Sequence, residues 1–160
     1  MKKLKRFVRD SQVEMTQLVL PNDTNYLGNL LGGRLMAWMD IAAAISAQRH
    51  SNRICVTAAV DNLVFHQPIR LGEVVTLKAS VNRVFGSSME VGVRVSSENH
   101  LTGVRKTANT AYLTFVAVSE GGTPEKVAPI RPGTAEERRR YRQALVRRNF
   151  RLKQRRISVR

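Results

Sequence analysis

A chain of 160 residues, 42% of them hydrophobic, is long enough for one domain with its own core and too apolar to be disordered. Its net charge of +15 resides at the ends: residues 1–9 carry five Lys or Arg and no acid, residues 131–160 carry twelve against two acids, and residues 10–130 balance to zero. No apolar run nears the roughly 20 residues of a membrane span, the basic start MKKLKRFVRD lacks the apolar segment of a secretory signal, and Cys55 stands alone, which excludes an intrachain disulfide and a Cys-based metal site; a cytoplasmic protein without a metal is expected.

The elements follow in chain order. Residues 1–13 form a basic arm. Glu14–Leu20 (EMTQLVL) reads as a strand ending at Pro21, and Asn22–Gly33 as a polar, Gly-containing loop. Arg34–His50 (RLMAWMDIAAAISAQRH) is the one clear helix of the body, with Leu35, Met39, Ala42, Ala43 and Ser46 at the spacing of a buried stripe. The pattern then switches. Ile54–Phe65, Gly72–Phe85, Ser88–Ser97 and Thr107–Val118 read as strands. In the third of these, Met89, Val91, Val93 and Val95 alternate with Glu90 and Arg94, so the two sets face opposite sides. One long helix followed by consecutive strands indicates an α+β fold with an antiparallel sheet. One helix covers one face of such a sheet, which leaves the other for solvent or a second subunit. After Gly121–Gly122 the body closes near residue 130. The tail, 131–160, opens with Pro132 and the capping box Thr134–Glu137 and continues as an Arg-rich helix in which Tyr141, Leu145 and Leu152 form a weak apolar stripe.

The stretch NYLGNLLGGRLMAWMD, residues 25–40, holds the chemistry. Gly32 and Gly33 stand where the helix begins, so backbone N–H groups there can meet a ligand without an intervening Cβ. Such a helix start, with its partial positive charge, suits a carbonyl oxygen that turns negative in acyl transfer. Asp40 lies two turns further on, with Met36, Ala37, Ala43 and Ala44 around it and no Lys or Arg at pairing distance. By local reasoning alone Asp40 is a solvated carboxylate, a structural anchor or a catalytic group, and Asn25 is a turn residue or a catalytic one.

The pattern Asn-Asp-Thr-Asn-x-x-Gly-Asn-x-x-Gly-Gly-x-x-Met-x-x-x-Asp over residues 22–40 resembles the active-site segment of hotdog-fold acyl-CoA thioesterases, in particular the cytosolic (brain-type) acyl-CoA hydrolases and their short bacterial relatives. The likeness continues through Val60-Asp61, Phe65-His66-Gln67-Pro68-Ile69 with Gly72, Gly86-Ser87-Ser88-Met89-Glu90-Val91 and Thr114-Phe115-Val116-Ala117, covering residues 14–130. The resemblance implies a hotdog, one long helix wrapped by an antiparallel sheet. It implies Asp40 as general base or nucleophile, Asn25 orienting water or thioester, and the backbone at Gly32 and Gly33 receiving the carbonyl. It places CoA along Arg83, Gly86, Ser87 and Ser88. It further implies an active site composed from two chains, hence a homo-oligomer with a dimer as the smallest active unit, often a trimer of dimers. No cofactor is expected, since CoA belongs to the substrate of fatty acid metabolism. Position 73 is Glu where that family commonly has Asp, and Leu31 replaces a frequent aromatic.

His50 and His100, at element ends, read as surface residues, and His66 as structural. Cys55, in an apolar strand, reads as inert core. The basic tail raises a rival class, nucleic-acid binding through Lys and Arg. The absence of a helix-turn-helix, zinc or aromatic RNA-binding pattern counts against it. A hotdog that binds acyl-CoA without hydrolysing it is the other alternative, disfavoured by the joint presence of Asn25 and Asp40.

Overall fold

The computed structural model describes residues 6–61 and 63–159; residues 1–5 of the expected basic arm lie outside them. Five strands and two long helices follow one another: β1 (Val13–Leu18), α1 (Gly32–Ser51), β2 (Ile54–Val60), β3 (Val74–Phe85), β4 (Ser88–Asn99), β5 (Val104–Val118) and α2 (Ala135–Ser158). The strands form one sheet in the order β1-β3-β4-β5-β2, every pair antiparallel. α1 packs against all five strands, which is the expected hotdog arrangement.

The register of the sheet decides what α1 meets. Val91 pairs with Val81 on one side and Leu113 on the other, and Val93 with Ala79 and Ala111. These residues share one face, and all are buried. Against them lie Leu35, Met39, Ala42, Ala43 and Ser46, the stripe expected from helical spacing, each buried. The alanines let the helix approach the sheet closely. Ser46 is accommodated because its hydroxyl donates to the Ser11 carbonyl at 2.7 Å, while the Ser11 hydroxyl accepts from the Val81 N–H at 3.0 Å. That network also ties residues 6–12 to the body, with Val8 in the core.

Several expectations need correction. The helix begins on the Gly pair, two residues before Arg34, and ends at Asn52, whose left-handed backbone (φ 53°) stops it. The strand expected over 54–65 ends at Val60. Its register against β5 shifts between Thr57 and Ala59; beyond Val60 the chain leaves the sheet, and Phe65 packs at the start of α1. His50 is not a surface residue: it is 3% exposed, with Nε2 held at 2.8 Å from the Ala128 carbonyl.

Burial holds the His50 pKa below its ordinary value of 6.5; the Ala128 carbonyl and Asp10 oppose this and Arg6 assists it. Above pH 6.5 both folded and unfolded chains carry neutral His50. Below it the unfolded chain takes up the proton first, so stability falls as pH drops through the window beneath 6.5. Melting temperature measured from pH 7.5 down to 5 is expected to decline less steeply in His50→Gln than in the wild type; parallel slopes contradict this.

α2 settles the fate of part of the sheet's other face. Glu137, Tyr141, Ala144, Arg147 and Arg151 recur at helical spacing on its inner side, where Glu137 and Ala144 are buried. Leu145 and Leu152, expected in that stripe, are exposed. The reason lies in the surface they would meet. Opposite α1 the sheet presents Glu90, Tyr112 and, past the end of β2, Asp61. Arg147 reaches Glu90 through two hydrogen bonds, Nε at 3.0 Å and Nη2 at 2.7 Å, and lies 3.6 Å over the Tyr112 ring. Arg151 bonds both oxygens of Asp61 at 2.8 and 3.0 Å.

Candidate active site

Asp40 occupies the middle of α1, partly exposed. Its Oδ1 accepts a hydrogen bond from the Thr57 hydroxyl of β2 at 2.7 Å. Both residues line a cavity of about 390 Å³ whose other walls are Gly33, Met36, Ala37, Met39, Val60, Leu63 and Leu113. A carboxylate thus faces an apolar chamber, fixed by one hydroxyl and with no cation in the lining. A carboxylate so oriented is positioned to act as a base or nucleophile.

The start of α1 adds a second element. Leu31 precedes the helix and no side chain caps it, so the first N–H groups of the helix have no side-chain partner. The two glycines differ in their surroundings. A Cβ on Gly32 would stand 3.2 Å from the Phe65 ring, whereas one on Gly33 would meet nothing within 4 Å. Gly32 therefore makes room for Phe65 and lines a separate cavity of about 340 Å³ with Asn29, Leu35, His66 and Ile69. Gly33 opens on the chamber of Asp40.

Asn25 lies outside that chamber. Its Oδ1 accepts from the Leu27 and Asn29 N–H groups at 3.0 and 3.2 Å, closing a turn that leaves Tyr26 and Leu27 projecting from the body. Within one chain, then, the fold joins Gly33, Asp40 and Thr57 and leaves Asn25 and Gly32 apart. β2 is an edge strand. Beside Asp40 and Thr57 it and α1 expose Ile41, Ile45, Ile54, Val56 and Val60.

The residues expected along CoA lie at the β3–β4 hairpin. Gly86 adopts φ +73° at its turn, its carbonyl accepts from Val127, and the Ser87 carbonyl accepts from Ala117, both at 2.9 Å. The Ser88 hydroxyl donates to the Phe85 carbonyl at 3.4 Å. The Arg83 guanidinium lies 4.2 Å over Tyr141 and donates to the Tyr141 carbonyl at 3.2 Å, so it helps seat α2. None of the four lines the Asp40 chamber. Glu73 is buried, accepts from the Arg70 N–H at 2.5 Å and faces Lys106 at 3.7 Å, a structural role.

Thr57 is the site residue that sequence reasoning missed. It stands 17 positions after Asp40 in an ordinary apolar strand, and only the packing of β2 on α1 joins them.

Residues 27–104 match the family described as the thioesterase superfamily. The chain is 42% identical over 153 residues to the uncharacterized acyl-CoA thioester hydrolase YkhA of Bacillus subtilis (strain 168), covering 96% of this chain and 89% of that one. It is 43% identical over 142 residues to acyl-coenzyme A thioesterase 11 of Mus musculus, covering 89% of this chain and 24% of that one, so it spans about a quarter of the mouse protein. The crystal structure of an apo-hexameric acyl-CoA thioesterase superposes with a TM-score of 0.90 at 41% identity, covering 92% of this chain and 95% of that one. An acyl-CoA hydrolase from Staphylococcus aureus, solved in complex with butyryl coenzyme A, coenzyme A and coenzyme A disulfide, superposes with a TM-score of 0.87 at 34% identity, covering 96% and 93%. The staphylococcal hydrolase has also been solved with an asparagine, an aspartate and a threonine each replaced by alanine. Those three positions are separated by the same intervals as Asn25, Asp40 and Thr57.

Proposed function

The chain belongs to the acyl-CoA thioester hydrolases of the thioesterase superfamily, and from that premise we propose that it hydrolyses fatty acyl-CoA to free acid and CoA, with Asp40 as the catalytic carboxylate. The observation that carries this is Asp40 held by Thr57 in an apolar chamber that also contains Gly33 at an uncapped helix start. The acyl chain occupies the space beside Met36, Met39, Leu63 and Leu113. The thioester oxygen takes hydrogen bonds from the first N–H groups of the α1 of a second copy of the chain, since roughly 10 Å of helix separates Gly33 from Asp40 within one chain, and these bonds strengthen as negative charge gathers on it. Asp40 removes a proton from water, whose oxygen forms the new C–O bond as the C–S bond breaks and the proton passes to the CoA thiolate; or Asp40 attacks the carbonyl carbon itself, expelling CoA thiolate and forming a mixed anhydride that water then hydrolyses, freeing Asp40 and the acid and supplying the proton for the thiolate. Thr57 keeps the Asp40 carboxylate turned toward the carbonyl. Release of free thiol from a panel of acyl-CoAs of increasing chain length tests the reading directly.

Asn25 joins this site from a second copy of the chain. Its turn projects Tyr26 and Leu27 outward, and the edge of β2 with its apolar neighbours receives another subunit. Two such sites make a symmetric dimer, and three dimers make a hexamer, the number of chains in the apo-hexameric acyl-CoA thioesterase that this chain resembles. Chain mixing tests this. Asn25→Ala and Asp40→Ala chains are each nearly inactive; after co-refolding in equal amounts, half of the dimers are mixed and each mixed dimer holds one intact site, so about a quarter of wild-type turnover returns. No recovery would place both residues in one chain's site.

A further inference from the structure

α2 runs past the surface it packs on. Its inner side is seated on the sheet as far as Arg151, but from Leu152 to Ser158 every residue is exposed. About two helical turns therefore bury nothing in the chain itself, and a free helical end of that length is marginal in water. On the side turned away from the sheet, Val146, Phe150, Lys153 and Ile157 follow at intervals of four, three and four residues, so they stand in one row. Its three apolar members are 69%, 58% and 75% exposed.

The charge around that row has no counterpart in the chain. Residues 138–160 contain eleven Lys or Arg and no acid. Arg139, Arg147 and Arg151 pair with Glu136, Glu90 and Asp61. Among the described residues Arg142, Lys153 and Arg156 make no ion pair; Arg142 lies one turn before Val146 on the same side, and Arg156 borders Ile157. The carboxylates are already engaged. Eight of the twelve in the chain form ion pairs. Asp10 and Glu137 accept from nearby backbone N–H groups, Asp40 faces its chamber, and Glu120 is left. A second copy of the chain thus offers this helix no negative surface, and two α2 ends laid together would repel. The partner must bring both negative charge and a place for the apolar row.

We propose that the outer face of α2 lies on the surface of an anionic lipid bilayer, with Val146, Phe150 and Ile157 at the boundary of headgroups and acyl chains and Arg142, Lys153 and Arg156 on the lipid phosphates. A helix whose apolar side chains are interleaved with cations takes up this position, and anionic headgroups attract it cation by cation. A nucleic acid would neutralise the same cations but leave the apolar row in water. No helix among the described residues is long and apolar enough to cross a membrane, so the contact is peripheral. α2 stays on the sheet to make it, because Arg147 and Arg151 anchor the opposite side of the helix. Docking also brings the chain to the phase in which long acyl chains reside; that consequence rests on the proposed hydrolysis, whereas the docking itself does not.

The test is co-sedimentation of the full chain with vesicles of phosphatidylcholine alone and of phosphatidylcholine mixed equally with phosphatidylglycerol. Binding to the anionic vesicles is expected to be at least about tenfold tighter than to the neutral ones. Two triple variants, Val146→Gln with Phe150→Gln and Ile157→Gln, and Arg142→Gln with Lys153→Gln and Arg156→Gln, are each expected to weaken it at least about tenfold. All six side chains are exposed, so both variants keep their fold, which circular dichroism verifies. Phe150→Trp supplies a direct readout: its new indole shifts emission to the blue on anionic vesicles, while Trp38, buried in the body, gives the wild type no such shift. Vesicle binding by a chain that hydrolyses no acyl-CoA would sink the proposed activity and leave the docking standing. Equal affinity for both vesicle types overturns the docking, as does binding that the apolar triple variant leaves unweakened. Binding to duplex DNA at physiological salt without binding to vesicles gives the helix to nucleic acid instead. A smaller assembly in the apolar variant, with no vesicle binding by the wild type, gives the face to a second copy of the chain.

Discussion

Asp40→Asn is expected to lower acyl-CoA turnover by two orders of magnitude or more while the protein folds and assembles as before. The substitution keeps the shape of the side chain and removes its charge. The amide oxygen can still accept from the Thr57 hydroxyl, which sits 2.7 Å away in the wild type, so the junction of β2 with α1 survives. What is lost is the basic oxygen. General-base catalysis is worth roughly 10² to 10⁴ in rate, and a nucleophilic role for Asp40 would make the loss no smaller. Thr57→Val is the informative companion. It removes the hydroxyl and leaves the carboxylate, so a smaller loss, about tenfold, is expected, confined to turnover rather than KM, since Thr57 acts by orienting Asp40. Thiol release measured on both variants, with circular dichroism to confirm folding, decides the matter. Wild-type turnover from a folded Asp40→Asn protein would remove Asp40 from the chemistry.

Much of the fold that frames this site is readable before any coordinates, and the reason is local periodicity. The stripe from Leu35 to Ser46 and the alternation from Met89 to Val95 each repeat within a dozen residues, so their buried faces follow from the spacing. Asp40 stands out locally only as a charge within an apolar run; its expected catalytic role rests on the resemblance of residues 22–40 to the thioesterase segment. Thr57 does not stand out, because nothing within its own strand distinguishes a hydroxyl that reaches across to α1. The two glycines look equivalent in sequence and diverge only when Phe65, brought back from the far side of β2, packs on Gly32 and not on Gly33. The strand expected over 54–65 overruns for a related reason: after Asp61-Asn62 the composition turns apolar again at Leu63-Val64-Phe65, but Leu63 lines the Asp40 chamber and Phe65 packs on Gly32 instead of pairing in the sheet.

The largest gap between sequence and structure concerns the tail, and the largest expected loss of stability follows from it. Arg147 stands 57 residues from Glu90, and no pattern in an Arg-rich run marks which arginine will find a buried carboxylate. Glu90 is 0% exposed, while the Arg147 side chain retains 21% of its surface and stacks on Tyr112. The two partners are therefore not equivalent. Arg147→Ala strands a negative charge at full burial, with only the Asn82 amide left to it; removing one partner of such a pair costs about 3–5 kcal/mol. In a domain of this size that lowers the melting temperature by about 10 °C. Glu90→Gln leaves Arg147 a route to water and its contact with Tyr112, so the expected loss is smaller. Replacing both, Glu90→Leu with Arg147→Met, exchanges the pair for apolar packing and is expected to recover most of the stability. Limited proteolysis separates a local from a global effect: if the pair serves to seat α2, cleavage within 135–158 accelerates in Arg147→Ala before the body melts. An unchanged melting temperature in that variant would mean that Tyr141, Arg83 and Arg151 hold α2 without it.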